Sequence, residues 1–426
     1  MTPGPKPNVP TPSEPSPSPS PTPAQTGGNT QSPNLFASLL SKSDSEVSAK
    51  VKTAVDRFFG LAGNESSTPS ADNGYRCYYE LPQDSSQAFI WAADSDDVRS
   101  EGMSFGMMIA VQTDLHDQFD KLWRFAQQYM QYGASAGAWA HYFKWQGKVT
   151  TNGNNWSVSF GDSNVPAPDG DEYFAAALYL ADQRWGSSGG INYKQEADNI
   201  ATAFLHNSAS NDGRFPIIHQ RENKVVFVPY GGSNEFTDPS YHLPALYELF
   251  ALLGPSTDAD KWRTIADTSR KFLVSAANSS TGLHPDYAKF DGSPTTQNGG
   301  DGHDKFQYDA WRVVMNMAWD YAWFSNDSSM KAQVEKYHSF FAGQLSGNNV
   351  KNSLFALDGS GATGGGSTAL TGTLAAGAMA SDSDKKQTFV SNLWSIDQQQ
   401  GRYRYYQECL YLLSLLHVSG TFRYAW

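Results

Sequence analysis

The segment "SKSDSEVSAKVKTAVDRFFG", residues 41–60, decides how the fold is read. Ser43 and Glu46 stand three apart, the spacing at which a serine hydroxyl and a glutamate carboxylate each take one of the free N–H groups at a helix start. Val47, Val51, Ala54, Val55, Phe58 and Phe59 then recur at helical intervals and form one apolar stripe. Gly60 supplies the stop, because glycine adopts the left-handed backbone of a helix end without a Cβ clash.

The same pattern continues outward. Helical spacing recurs near 101–113, 117–132, 171–185, 193–207, 241–253, 258–277, 308–324, 328–344, 368–380, 383–395 and 403–417, which makes about twelve helices with the first. No stretch sustains a two-residue alternation apart from a hairpin pattern around 214–230. The predicted class is all-α. Long loops, notably 133–168 and 278–307, fall between alternate helices. If helical hairpins close into a ring, such loops collect at one end and build a binding face. No repeat of fixed period is visible.

The chain has 426 residues and a formal charge of -12, which argues against nucleic acid or an anionic membrane surface as partner. No run approaches the roughly 18 apolar residues of a membrane span. Cys77 and Cys409 are the two cysteines, too few for a disulfide framework or a cysteine-based zinc site. Whether they pair stays open. Aromatic residues reach 13%, with 12 Trp and 21 Tyr. Such rings fill a core, and they also offer the flat apolar faces with polar tips that suit a neutral, hydroxyl-rich ligand such as a sugar chain.

Residues 1–34 hold eleven of the 22 prolines, in runs such as "PTPSEPSPSPSPTP". This composition favours extended segments over a core. It is read as a disordered interdomain linker, with residues 35–426 as the folded domain. The expectation is a secreted parent protein with a further module ahead of the linker, and a monomeric domain.

Three acids stand at or near predicted helix starts: Glu101 in "VRSEGMSFGMMIAVQ", Asp169 in "APDGDEYFAAALYLADQRW" and Asp309 in "FQYDAWRVVMNMAW". Any one of them is explained by the preference for acids in a first helical turn. Their neighbours shift that balance. Gly102 and Gly106 give Glu101 a small face that something can approach closely. Arg312 lies one turn after Asp309 and favours its ionised form, which suits a base. Asp169 sits in a turn with Gly170 and can hold a ligand hydroxyl.

Together these segments resemble glycoside hydrolase family 8. "APDGDEYFAAALYLADQRW" is similar to the family's signature, departing from it at Pro168 and Phe174. "SEGMSFGMMIA" resembles the segment of its catalytic glutamate, and "YDAWR" that of its catalytic aspartate. The resemblance implies an (α/α)6 barrel that hydrolyses a β-1,4-linked glycan with inversion and needs no cofactor or metal. It implies Glu101 as general acid, Asp309 as general base, and Asp169 as a residue that binds and helps distort the sugar. Tyr241 matches a tyrosine beside the attacking water, and Arg312 would orient Asp309. Trp145, Tyr403 and Tyr406 match cleft aromatics or tyrosine contacts, and Tyr308 joins them as a candidate substrate contact. Because a helix N-terminus favours an ionised glutamate, burial and repulsion from Asp169 or Asp171 must keep Glu101 protonated.

"EGMSFGMM" is more similar to xylan-active members than to cellulases, although those usually carry Tyr where this chain has Phe105. Exo-acting members block the cleft with a loop carrying a histidine. The corresponding "LDGSGATGGGSTALTG", residues 357–372, is Gly-rich and has no histidine. The expectation is endo-acting hydrolysis of xylan. Reducing-end xylose-releasing exo action, or a β-glucanase or chitosanase of the same family, is the alternative. A lyase reading is disfavoured, because an acidic cleft repels uronates. A binding module without activity needs neither Glu101 nor Asp309. "GSGATG", 359–364, lacks the βαβ setting of a dinucleotide site, and "GGDGHDKF", 299–306, reads as a solvated loop rather than a metal site.

Overall fold

The computed structural model describes residues 30–63, 67–71, 74–152, 155–161, 164–297, 302–325 and 327–426. Most of the 1–34 linker expectation, and Asp301 of the set-aside loop, lie outside these residues. Thirteen helices are present among them: α1 (Leu35–Leu40), α2 (Asp44–Phe59), α3 (Ser100–Gln112), α4 (His116–Phe125), α5 (Pro168–Trp185), α6 (Tyr193–His206), α7 (Pro244–Leu253), α8 (Ala259–Ala276), α9 (Val313–Asp320), α10 (Ser328–Ala342), α11 (Thr368–Gly377), α12 (Lys386–Ser395) and α13 (Arg404–Val418).

The residues dictate two rings. Twelve of the thirteen residues of α3 are buried, against six of the sixteen of α2. A helix that is apolar all round needs neighbours on every side, whereas an amphipathic one covers a core with one stripe. Accordingly α3, α5, α7, α9, α11 and α13 pack in sequence, and α13 closes on α3. Outside them α4, α6, α8, α10 and α12 each pack on the inner helix that precedes them, and α2 packs on α13. This is the (α/α)6 barrel. Helix α2 carries the expected capping box, with the Ser43 N–H donating to Glu46 Oε2 at 2.9 Å, and Gly60 ends it at φ 69°.

The connections sort by direction. Segments 60–99, 131–167, 207–243, 277–312 and 343–367 enter inner helices, whereas the short 113–115, 186–192, 254–258, 321–327 and 378–385 leave them. The long loops therefore gather at the end where the inner helices start, as the sequence suggests.

Strands are more numerous than expected. β1 (Tyr78–Leu81) pairs with β2 (Asp84–Ile90), while β3 (Asp97–Arg99), β4 (Gln146–Asn152) and β5 (Asn155–Ser159) form a three-stranded sheet. The 133–168 loop is thus partly strand. The hairpin near 214–230 reduces to β6 (Ile218–His219) and β7 (Lys224–Val225). A further short pair is β8 (Leu345–Ser346) with β9 (Asn349–Val350). Residues 30–32 are stitched to the segment after α13: the Ser32 N–H donates to the Phe422 carbonyl at 2.9 Å and the Tyr424 N–H to that of Thr30 at 3.0 Å. Cys77 and Cys409 are both buried and are not joined by a disulfide.

Candidate active site

Each candidate acid sits where an inner helix begins. β3 pairs Arg99 with Gln146, and this sheet delivers the chain into α3, of which Glu101 is the second residue. Asp169 is second in α5, behind Pro168, whose missing N–H costs nothing at a helix start. Asp309 lies in the 3-10 turn Tyr308–Arg312 that opens into α9.

Close approach of inner helices brings these starts together. A Cβ on Gly170 would stand 2.7 Å from the carbonyl carbon of Ser100, so only glycine lets α5 meet α3 there. A Cβ on Gly102 would overlap the Tyr405 ring, so the small face beside Glu101 is what lets that ring approach.

One guanidinium joins the three acids. Arg312 Nη1 lies 2.7 Å from Asp169 Oδ2 and 3.1 Å from Glu101 Oε2, and its Nη2 lies 3.1 Å from Asp309 Oδ1. Nη2 also donates to Ser240 Oγ at 2.8 Å. Because Glu101 and Asp309 hold different nitrogens of one rigid fork, their nearest oxygens lie within about 9 Å of each other.

The acids differ in environment. Burial pushes Glu101 up to about 7, helped by repulsion from Asp169 and Asp309 and opposed by Arg312 and Arg99. Burial likewise raises Asp169, against the pull of Arg312. The Asp309 side chain keeps 31% of its exposure, that of Asp169 only 4%. Of the two acids expected to repel Glu101, Asp169 does so, while Asp171 turns to a backbone partner. Its Oδ1 accepts the Phe143 N–H at 2.9 Å, and it braces the loop ahead of β4. The site can thus hold a proton on one carboxyl and present a second, solvent-reaching carboxylate across a shared cation.

A cleft of about 250 Å³ contains Glu101, Asp309, Tyr308, Tyr403 and Tyr406 in its wall. Tyr308 and Tyr403 are largely exposed, and the Tyr406 hydroxyl donates to the Tyr308 carbonyl at 3.0 Å. Tyr241 is buried, with the Arg312 guanidinium 5.6 Å from its ring centre. Trp145 is not part of that wall. Its carbonyl accepts the Ser100 N–H at 2.9 Å, next to the turn that bears Glu101.

Sequence reasoning missed Tyr405, whose hydroxyl donates to Glu101 Oε1 at 2.9 Å. It also missed Arg99 and Asp94, which line the cleft. In "GRYRYYQE" the helix phase of α13 is the signal that turns Tyr405 inward, and it is legible only once the helix start is known.

Comparison with known proteins decides the lineage. The model of the glycosyl hydrolases family 8 matches residues 90–420. The chain belongs to glycoside hydrolase family 8. Among family relatives, the reducing-end xylose-releasing exo-oligoxylanase Rex8A of Paenibacillus barcinonensis is 35% identical, over 93% of this chain and 99% of that protein. A reducing end xylose-releasing exo-oligoxylanase of Halalkalibacterium halodurans is 34% identical, over 89% of this chain and 91% of its own length. Among solved family 8 structures, a catalytic-mutant xylanase from Teredinibacter turnerae in complex with xylohexaose superposes with a TM-score of 0.82. It is 36% identical, over 92% of this chain and 98% of that one. Family membership makes this chain a glycoside hydrolase and agrees with the barrel described above. Among the described residues, no helix is long and apolar enough to cross a membrane.

Proposed function

We propose that this enzyme hydrolyses β-1,4-linked xylose chains with inversion, with Glu101 as general acid and Asp309 as general base. The observation that carries the reading is the Arg312 node. It groups a carboxyl that burial pushes up to about 7 with a second, more exposed carboxyl on the same guanidinium. Inversion needs one carboxyl to protonate the leaving oxygen and another, about 6.5–9.5 Å away, to activate a water. The bound of about 9 Å set by the Arg312 fork is compatible with that spacing.

In the step so assigned, the Glu101 carboxyl gives its proton to the glycosidic oxygen as the C–O bond breaks. Water adds to the opposite face of the anomeric carbon and yields its proton to Asp309. Tyr405 aims Glu101, Arg312 aims Asp309, and the buried Asp169 holds a hydroxyl of the sugar at the point of cleavage. Tyr308, Tyr403 and Tyr406 offer faces and hydroxyls to neighbouring sugars, and Tyr241 borders the attacking water.

The named relatives support xylose chains as substrate. On the mode of attack, the relatives from Paenibacillus barcinonensis and Halalkalibacterium halodurans are both named for release of xylose from reducing ends, which favours that mode. The chain itself carries one contrary observation: residues 360–366, "SGATGGG", are exposed and hold no side chain large enough to wall off a cleft. From that loop we infer internal cleavage, with reducing-end release as the second reading. The early product profile from soluble β-1,4-xylan separates them. Mixed oligomers at low conversion support internal cleavage. Xylose alone, released from short oligomers, supports the second reading. Absence of products from either would remove xylan as the substrate. Proton NMR of the first product tests inversion, which requires the α-anomer. The Pro/Ser/Thr-rich composition of residues 1–34 supports export of the protein, as such a polymeric substrate requires.

A further inference from the structure

The loop that leads into the Asp309 turn holds a charged pair of its own. Asp286 is 1% exposed, and its Oδ1 accepts the Ala310 N–H at 3.2 Å, the first main-chain donor after Asp309. Its Oδ2 accepts from His303 Nδ1 at 2.9 Å and from the Gln307 side-chain amide at 2.9 Å. The His303 ring lies flat on Tyr287, with centroids 4.1 Å apart and planes 8° from parallel. Main-chain bonds from Asp286 to Lys305 at 2.9 Å and from Tyr287 to His303 at 2.8 Å lock the two limbs of the loop. One carboxylate thus binds residues 303, 307 and 310, on both sides of Asp309.

Charge makes this more than a brace. Asp309, Asp238 from the segment ahead of α7, and Tyr406 from α13 face Asp286. His303 faces Asp286, Asp309 and Asp304, and Lys305 beside it is exposed to solvent. Arg312 is also paired with Asp309, its Nη2 lying 3.1 Å from Oδ1. Hydrogen bonding to Asp286 raises the proton affinity of His303, so the ring is cationic at acid pH. Burial pulls Asp286 towards its neutral form, up to about 6, and the His303 contact opposes that pull.

We propose that Asp286 and His303 are positioning residues for the general base, Asp286 holding the turn that aims Asp309 and the His303 cation favouring the ionised base. The proposal rests on the assignment of Asp309 above.

His303→Asn keeps a donor for Asp286 and removes the cation, whereas His303→Lys keeps the cation. Loss of a nearby positive charge eases protonation of the base. The acid limb of the kcat/KM pH profile of His303→Asn is therefore expected to move about 0.5–1 unit to higher pH. The alkaline limb stays in place, and His303→Lys returns the acid limb towards the parent value. Asp286→Ala, which frees the Ala310 N–H, is expected to lower kcat about tenfold with KM changed less than twofold. Thermal midpoints report folding. If Asp286→Ala does not fold, the two His303 variants decide, since that side chain is partly exposed. An acid limb unmoved in His303→Asn, or moved equally in both His303 variants, overturns the proposal. Asp309→Asn separates the two levels. Loss of turnover there with unmoved limbs refutes only the pair, while retained turnover refutes the base assignment and the pair together.

Discussion

At the scale of single residues, the proposed acid role asks Glu101 to keep its proton against a helix N-terminus and an arginine at 3.1 Å. Both favour the charged form. Burial outweighs them and sets Glu101 at about 7. The sign follows directly: as pH rises through that value the general acid loses its proton, so the alkaline limb of the kcat/KM profile is expected near neutrality. Tyr405→Phe removes a donor that favours the carboxylate, so that limb should move upward by about half a unit, read from the same profile. Glu101→Gln is expected to lower kcat about 10³-fold or more while oligosaccharide binding, measured by calorimetry, stays within a few-fold. That Glu101, Asp169, Asp309 and Arg312 belong together was an expectation from the family resemblance of the segments that carry them, and the ion pairs to one guanidinium do bring the four side chains together. Tyr405 was not legible in the sequence. Three tyrosines in four residues give no sign of which one turns inward until packing fixes the helix phase. Nor was the direction of Asp171, two residues from Asp169 and turned to a different loop.

At the scale of elements, the twelve barrel helices were readable because each runs for eight residues or more and the outer ones carry a one-sided apolar stripe. The six-residue α1 is too short for that. Apart from the β6–β7 hairpin the strands escaped: β3 has three residues and β8 and β9 two each, below the length at which alternation can be seen, and the seven-residue β2 and β4 do not alternate apolar and polar residues. Their pairing is long-range or depends on tight turns, neither of which leaves a periodic trace. β3 matters beyond its length, because its pairing with β4 fixes the direction in which the chain enters α3. The α3–α5 contact is the next determinant. Gly170→Ala places a Cβ against the Ser100 backbone, which cannot swing aside as a side-chain tip can. The expected cost is about 1–3 kcal/mol in urea denaturation, with a loss of activity in the fraction that still folds. Both effects arise because the helix starts that bear Glu101 and Asp169 are pushed apart.

At the scale of the whole molecule, the in-and-out winding explains why the starts that bear Glu101, Asp169 and Asp309 lie at one end. Each inner helix starts on the same side, so the long entering segments contribute to one face, and among the described residues the opposite face receives the short returns and the stitched terminal segments. The barrel could be inferred from helix count and loop spacing together with the family resemblance. The ring closure could not, since no sequence period announces that α13 meets α3. That closure, with the stitching of residues 30–32 to 422–424, has a consequence for synthesis. A chain growing on the ribosome has exposed five inner helices before the sixth exists, and the open edges of α3 and α11 have nothing to bury against. The barrel must therefore close late, in one step, after α13 has emerged. A chain halted after residue 400 is expected to lack a cooperative unfolding transition and to bind a nascent-chain chaperone or a hydrophobic dye, where the full chain does neither.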